Sequence, residues 1–241
     1  MGTDNRKWQK LSAAKAAAVY VRDKMTIGIG TGSTVYYLIQ EIGEKIKAGY
    51  NIRAVVTSKS SRELALSRNI PVCLPEEAKR IDLAIDGVDE IDRDFCAVKG
   101  GGGALMREKI VAVKAEEVIW IMDESKPAER LGCFPLPVEV LPFGYSWTAD
   151  GIRKIGGQPI LRKKNGDIYC TDNGNYILDV TFGKETDYRQ AASAIRAIPG
   201  VLETGYFDSI CSRIIIGTDA GAIERVNSFR KEAFRESRCD R

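Results

Sequence analysis

Three stretches of the chain set ionisable side chains beside glycine-rich turns, and a fourth site offers a single lysine. The first stretch is GIGTGSTV, residues 28–35. A short apolar strand ends there, glycines allow a tight turn, and a helix begins near Thr34. Free backbone N–H groups at a helix start attract an anion, and Thr31, Ser33 and Thr34, around Gly32, add hydroxyl donors. The same pattern suits a plain strand-to-helix turn with a Ser/Thr N-cap. A dinucleotide fingerprint is a minor reading, because Ser33 stands where GxGxxG needs its third glycine. The second stretch is IDLAIDGVDEID, residues 81–92. Asp86 closes an apolar strand, and parallel sheets bind ligands at the carboxyl ends of their strands. Asp86 and Asp89 bracket Gly87 and Val88 in a tight turn that can aim both carboxylates into one cleft. Glu90, Asp92 and Asp94 read instead as a solvated acidic turn. The third stretch is VKGGGGALMREKI, residues 98–110. Lys99 leads into four glycines, Gly100, Gly101, Gly102 and Gly103. Glycine loses the most backbone freedom on folding, so close approach to a ligand explains such a run better than a flexible linker does. Glu108 follows about one turn into the next helix, where it and Lys99 can flank one small substrate. Lys126 follows an apolar strand at 118–123, either at another strand's carboxyl end or as a surface lysine before Pro127.

The chain contains no histidine. That excludes Ser-His-Asp triads, Cys-His pairs and His-ligated metals, and leaves acid–base work to Asp, Glu, Lys, Tyr or Cys. A net charge of +3 is too small to indicate nucleic acid or an anionic membrane as a partner, yet it suits a small anionic substrate held by local lysines. The closest cysteines, Cys73 and Cys96, are 23 residues apart, so no CxxC pair exists. Scattered thiols in a chain of 241 residues fit a reducing compartment, and the expected location is cytoplasmic. The N-terminal segment carries scattered charges and no apolar core, which suits an amphipathic helix with Leu11, Ala14, Ala18 and Val21 on one face rather than a secretory signal. No apolar run of 18 residues occurs, so no membrane span is expected.

Positioning these residues requires strands alternating with helices. The pattern predicts strands at 26–30, 52–58, 81–86 and 118–123, and helices from about Thr34, at 60–68 and at 104–117. Continuous apolar strands indicate a mostly parallel, Rossmann-like sheet covered on both faces. From 132 the order becomes βαββαβ, that of a ferredoxin-like split βαβ unit, with NGD at 165–167 as a hairpin turn. SRIIIGT, 212–218, reads as a buried parallel strand returning to the first sheet. The fold class is therefore α/β with a smaller α+β domain inserted: residues 1–131 and 208–241 form the first domain and 132–207 the second. The charged tail beyond about Asn227 reads as helical or frayed.

Six blocks, GIGTGSTV, AIDGVDEID, VKGGGGALMREKI, PLPVEVLP, TDNGNYILDV and AIPGV, together resemble the A-type ribose-5-phosphate isomerases in content and order. The resemblance covers residues 28 to about 219. It implies interconversion of ribose 5-phosphate and ribulose 5-phosphate in the non-oxidative pentose phosphate pathway, with no metal and no cofactor, in a homodimer or homotetramer. Glu108 matches the family's catalytic base, and Thr31–Thr34 match a substrate-binding loop. Asp86–Asp89 match the acidic turn, Lys99–Gly102 the lysine-glycine loop, and Lys126 a lysine that contacts substrate. Two residues depart from the pattern: Val88 stands for an alanine and Met106 for a threonine.

Moving a proton between C1 and C2 through an enediolate needs one base that returns the proton, which suits Glu108, and a cation for the oxygen, which suits Lys99. Asp86 or Asp89 can assist ring opening. Whether the phosphate meets the 31–34 loop or a lysine such as Lys126 stays open. Two other classes fit less well. A non-catalytic sugar-phosphate sensor should lack Glu108 or Lys99 and would need a DNA-binding module, for which no segment before residue 26 is large enough. An acyl-transfer enzyme with Glu108 as nucleophile would make less use of Asp86, Asp89 and Lys99.

Overall fold

The structure, a computed structural model, describes residues 2–228, with side chains from residue 5. The charged tail from 229 lies outside the described residues. The chain forms two compact units. One comprises residues up to Val88, Glu108–Lys126 and residues from Ser209, and the other Asp89–Arg107 and Pro127–Asp208.

The first unit is built on a six-stranded sheet. Its order is Gly221–Val226, Arg213–Thr218, Ala115–Asp123, Ile81–Gly87, Thr26–Ile29, Arg53–Val56. All neighbours are parallel except Gly221–Val226, an antiparallel edge strand. Side chains alternate between the faces of a strand. On one face Ile27, Ile29, Leu83, Ile85, Ile119 and Ile121 pack against helices Gly2–Ala18 and Ser33–Lys47. Each such side chain, withdrawn from water, stabilises by roughly 1.5–3 kcal/mol. On the opposite face the space above Gly28 is filled by Val111 of helix Leu105–Lys114.

In the second unit an antiparallel sheet runs Val201–Thr204, Leu136–Val140, Tyr176–Thr181, Gln158–Leu161. With helices Tyr145–Lys154 and Tyr188–Arg196 it gives the expected βαββαβ order. The NGD turn joins Lys163–Lys164 to Asp167–Ile168, with Asn165 at φ 56° and Gly166 at φ 93°. Two successive positive φ values are what a two-residue hairpin turn needs.

Three sequence expectations are corrected. The helix expected at 104–117 ends at Lys114, because Ala115 pairs with Ile81 and opens the strand Ala115–Asp123. Sheet pairing overrides the helix propensity of Ala115, Glu116 and Glu117. The segment 168–180, which the βαββαβ order takes as one strand after the NGD turn, breaks at a turn in which the Thr171 N–H donates to the Asn175 carbonyl at 2.8 Å. The boundary between the units also differs. Residues 89–107, expected in the first domain, pair as Glu90–Ile91 and Ala97–Val98 with Tyr206–Phe207 of the second.

The 171–175 turn is organised by a buried acid. Glu139 is fully buried, and its Oε1 accepts from Thr171 Oγ1 at 2.9 Å, Asn173 Nδ2 at 3.0 Å and Asn175 Nδ2 at 2.9 Å. Glu139→Ala should lower stability by about 3 kcal/mol, since it strands three donors. A urea midpoint unchanged from the wild type would show that the turn does not need this acceptor.

Candidate active site

In the first unit the turn after Thr26–Ile29 is shaped by Asp86. This side chain is 4% exposed, and its Oδ1 accepts from the N–H groups of Thr31 at 3.0 Å and Gly87 at 2.7 Å. A Cβ on residue 30 would fall on the Asp86 carboxylate, so only glycine fits there. Gly32, at φ 124°, is the N-cap of helix Ser33–Lys47, and no side chain caps it. The plain Ser/Thr-capped turn is therefore not what forms. The helix instead starts with uncapped N–H groups beside Ser33 and Thr34. Residues that sequence reasoning passed over support this turn. Thr31 and Thr57 hydroxyls lie 2.9 Å apart, and Ser61 Oγ donates to the Gly30 carbonyl at 2.7 Å. They sit on the polar stretch that opens helix Lys59–Ser67, where a Ser-rich sequence reads simply as a cap.

A cation reaches the same helix start. Lys10 Nζ, on helix Gly2–Ala18, donates to Ser33 Oγ at 2.9 Å and lies 3.9 Å from Asp123 Oδ2. Asp123 ends the strand Ala115–Asp123, and the half-buried Lys126 follows it, its N–H donating to the Asp123 carbonyl at 3.3 Å. Lys10 was missed because a lysine in an N-terminal amphipathic helix reads as solvated surface.

Glu108 is 4% exposed, in the first turn of helix Leu105–Lys114. Val111, three residues on and so on the same face, sits above Gly28. A helix joining parallel strands runs antiparallel to them, so its N-terminal end overlies their carboxyl ends. Three residues of helix rise carry Glu108 about 4.5 Å from the level of Gly28 towards Gly30 and Asp86. The first unit thus gathers Thr31–Thr34, Asp86–Val88, Glu108 and Lys126 at the carboxyl ends of its strands.

The second unit holds Asp89 and the lysine-glycine loop. Asp89 is half-buried, and its Oδ2 accepts from the Gly101 N–H at 2.7 Å. Lys99 is 2% exposed, with its N–H donating to the Gly205 carbonyl at 2.8 Å and its ammonium 5.5 Å from the centre of the Phe207 ring. Of the other acids, Glu90 accepts from the N–H groups of Gly132, Cys133 and Phe134, and Asp92 from those of Asp94 and Cys96. Both are structural, as the sequence suggested, although Glu90 is buried rather than solvated. A cleft of about 640 Å³ in this unit, lined by Asp92, Cys96, Arg130, Arg189 and Tyr206 among others, contains none of the expected site residues.

A parallel α/β sheet with an uncapped helix start, a cation beside it and buried carboxylates at the strand ends defines a protein that handles a small anionic polar substrate by acid–base chemistry. The family model for ribose 5-phosphate isomerase A (phosphoriboisomerase A) matches residues 53–221. The ribose-5-phosphate isomerase A of Bacillus mycoides is 46% identical over 216 residues, spanning 89% of this chain and 98% of that protein. The structure of ribose 5-phosphate isomerase from Plasmodium falciparum superposes with a TM-score of 0.87 at 37% identity, over 94% of this chain and 100% of the other. A D-ribose-5-phosphate isomerase solved in complex with phospho-erythronic acid gives 0.86 at 36% identity, over 90% and 97%. The chain belongs to the ribose 5-phosphate isomerase A family.

The contact between residue 30 and Asp86 is open to test. Gly30→Ala forces Asp86 out of its place. Isomerase turnover should fall by at least about tenfold, with a lower melting temperature. Full activity in this variant would mean that the turn tolerates a displaced Asp86.

Proposed function

We propose that the chain interconverts D-ribose 5-phosphate and D-ribulose 5-phosphate through an enediolate, with Glu108 as the base. The observation that carries this reading is the burial of Glu108 at the strand ends, in the unit that holds the Thr31 turn and Asp86. Glu108 removes the proton from C2 of the open-chain aldose and returns it to C1, and the reverse reaction uses the same carboxylate. Lys99 balances the charge that develops on the sugar oxygens. Asp89 assists ring opening, since its one bond from the Gly101 N–H engages only Oδ2. Asp86, whose Oδ1 is occupied by two backbone donors, holds the turn. The phospho-erythronic acid bound by the related enzyme supports this scheme, because its carboxylate presents two oxygens as an enediolate does.

The phosphate end is assigned to the uncapped N-terminus of helix Ser33–Lys47, with the hydroxyls of Ser33 and Thr34 and the ammonium groups of Lys10 and Lys126. This reading takes both alternatives left open by the sequence as parts of one anion site. We further read the enzyme as cytoplasmic, acting in the non-oxidative pentose phosphate pathway as a homodimer or homotetramer. Free thiols at Cys73, Cys96, Cys133, Cys170 and Cys211 favour that compartment, and the strongly exposed Phe143 and Trp147 favour self-association. Among the described residues no helix is long and apolar enough to cross a membrane.

Glu108→Gln should lower kcat by at least about 10²-fold with KM little changed, the size expected for loss of general acid–base catalysis. Near-wild-type kcat would sink the assignment, and binding without turnover in the wild type would favour the sensor reading. Lys10→Ala should act on the other parameter. A charge-assisted hydrogen bond contributes roughly 1.5–3 kcal/mol, so KM should rise about tenfold or more while kcat stays within a few-fold. An unchanged KM would remove Lys10 from the phosphate site.

A further inference from the structure

The 100–103 loop does not hold its shape alone. Arg162, which follows strand Gln158–Leu161, donates from Nη1 to the Gly100 carbonyl at 2.7 Å and to the Gly101 carbonyl at 3.2 Å. Its other face is locked by Asp179 of strand Tyr176–Thr181: Nε donates to Oδ2 at 2.9 Å and Nη2 to Oδ1. Tyr169 Oη donates to the Gly102 carbonyl at 3.2 Å. Burial pushes the Tyr169 phenol pKa up, so the hydroxyl keeps its proton and remains a donor. All these groups belong to the second unit.

Carbonyl and N–H point in opposite directions across a trans peptide. Pulling the Gly100 carbonyl towards Arg162 turns the Gly101 N–H the other way, and that N–H meets Asp89 at 2.7 Å. Pulling the Gly101 carbonyl does the same to the Gly102 N–H. The Gly103 N–H closes the loop on the Gly100 carbonyl at 2.9 Å. Among the described residues, the Gly100 and Gly102 N–H groups are the loop donors with no acceptor within the protein, and of these two glycines Gly100 is buried and Gly102 exposed.

We propose that Arg162, held by Asp179, is a positioning residue for the isomerisation: by gripping the Gly100 and Gly101 carbonyls it aims the Gly102 N–H at the sugar oxygen that becomes negative in the enediolate. Arginine suits the task because one planar guanidinium serves a bidentate carboxylate and two carbonyls at once, and an ammonium does not. The inference rests on the reading that residues 99–102 meet the reacting end of the sugar.

The test compares Arg162→Met, Arg162→Lys and Asp179→Asn with the wild type and with Glu108→Gln and Lys99→Met. Loss of one such donor typically lowers kcat by about 10²–10³-fold, and a misaimed donor should lose at least about tenfold. The expected pattern for Arg162→Met is that fall in kcat, a KM within about threefold, and inhibition by phospho-erythronic acid weakened in step with kcat. Millimolar guanidinium should restore part of the activity to Arg162→Met and none to Glu108→Gln. Arg162→Lys and Asp179→Asn should fall between Arg162→Met and the wild type. The proposal is overturned if Arg162→Met keeps kcat within twofold. It is also overturned if guanidinium restores nothing and the lysine variant is as slow as the methionine one, which is the signature of a merely structural role. If Arg162→Met does not fold, Arg162→Lys and Asp179→Asn decide: lowered kcat at an unchanged melting temperature supports the proposal, and unchanged kcat ends it. Full activity in Glu108→Gln and Lys99→Met would instead remove the underlying reading, whatever the Arg162 variants do.

Discussion

Asp86 is buried at the end of a strand, and its Oδ1 finds its partners in backbone N–H groups. A carboxylate withdrawn from water needs such donors, because an unpaired one costs several kcal/mol. Meeting that need fixes much of the first unit's site. The Thr31 N–H has to turn towards the acid, residue 30 has to lack a side chain, and Gly32 has to take a positive φ before the helix can begin. The helix that results has no side-chain cap, so its first N–H groups are left without a side-chain acceptor.

Three residues further along, Asp89 makes the corresponding bond in the second unit. Its Oδ2 takes the Gly101 N–H as Asp86 Oδ1 takes the Thr31 N–H. A glycine-rich turn has many accessible conformations and loses more entropy on ordering than any other sequence. One strong acceptor aimed at the backbone selects a single conformation among them. The DGVD segment therefore supplies two pins for two glycine turns, in addition to whatever proton transfer its acids perform. This dual use explains why both aspartates lie in one short turn and why neither carboxylate is simply solvated.

Residue types and local spacing were legible in the sequence, and long-range partners were not. The glycine runs, the apolar strands and the βαββαβ order all act over short windows, and each pointed to a feature that forms. Lys10, Ser61, Glu139 and Arg162 act on residues 23, 31, 32–36 and 61–62 positions away. Nothing in their neighbourhoods marks them, since a lysine on an amphipathic helix and an arginine at a strand end are ordinary surface residues. The helix that stops at Lys114 fails as a local reading for the same reason: its end is set by pairing with Ile81, 34 residues earlier. The unit boundary was misplaced because two-residue strands such as Ala97–Val98 carry too little pattern to reveal that their partner is Tyr206–Phe207.

The two departures from the family pattern can now be weighed against these bonds. Val88 is 7% exposed, so the larger side chain is accommodated by packing rather than by solvent. The bonds that pin the adjacent turns run through the N–H groups of Thr31, Gly87 and Gly101, none of which depends on the side chain at 88. Met106 is half-buried in the first turn of helix Leu105–Lys114, and among the described residues its side chain makes no hydrogen bond. The neighbouring Arg107 anchors that turn by donating to Asn173 Oδ1 at 2.7 Å and to the Asp172 carbonyl at 3.0 Å. Through the 171–175 turn this anchor leads to the buried Glu139. The polar contacts of Arg107 within the second unit are ones that the Met106 side chain does not enter. A thioether there changes the surface of the helix start without entering the bonds that Arg107 makes.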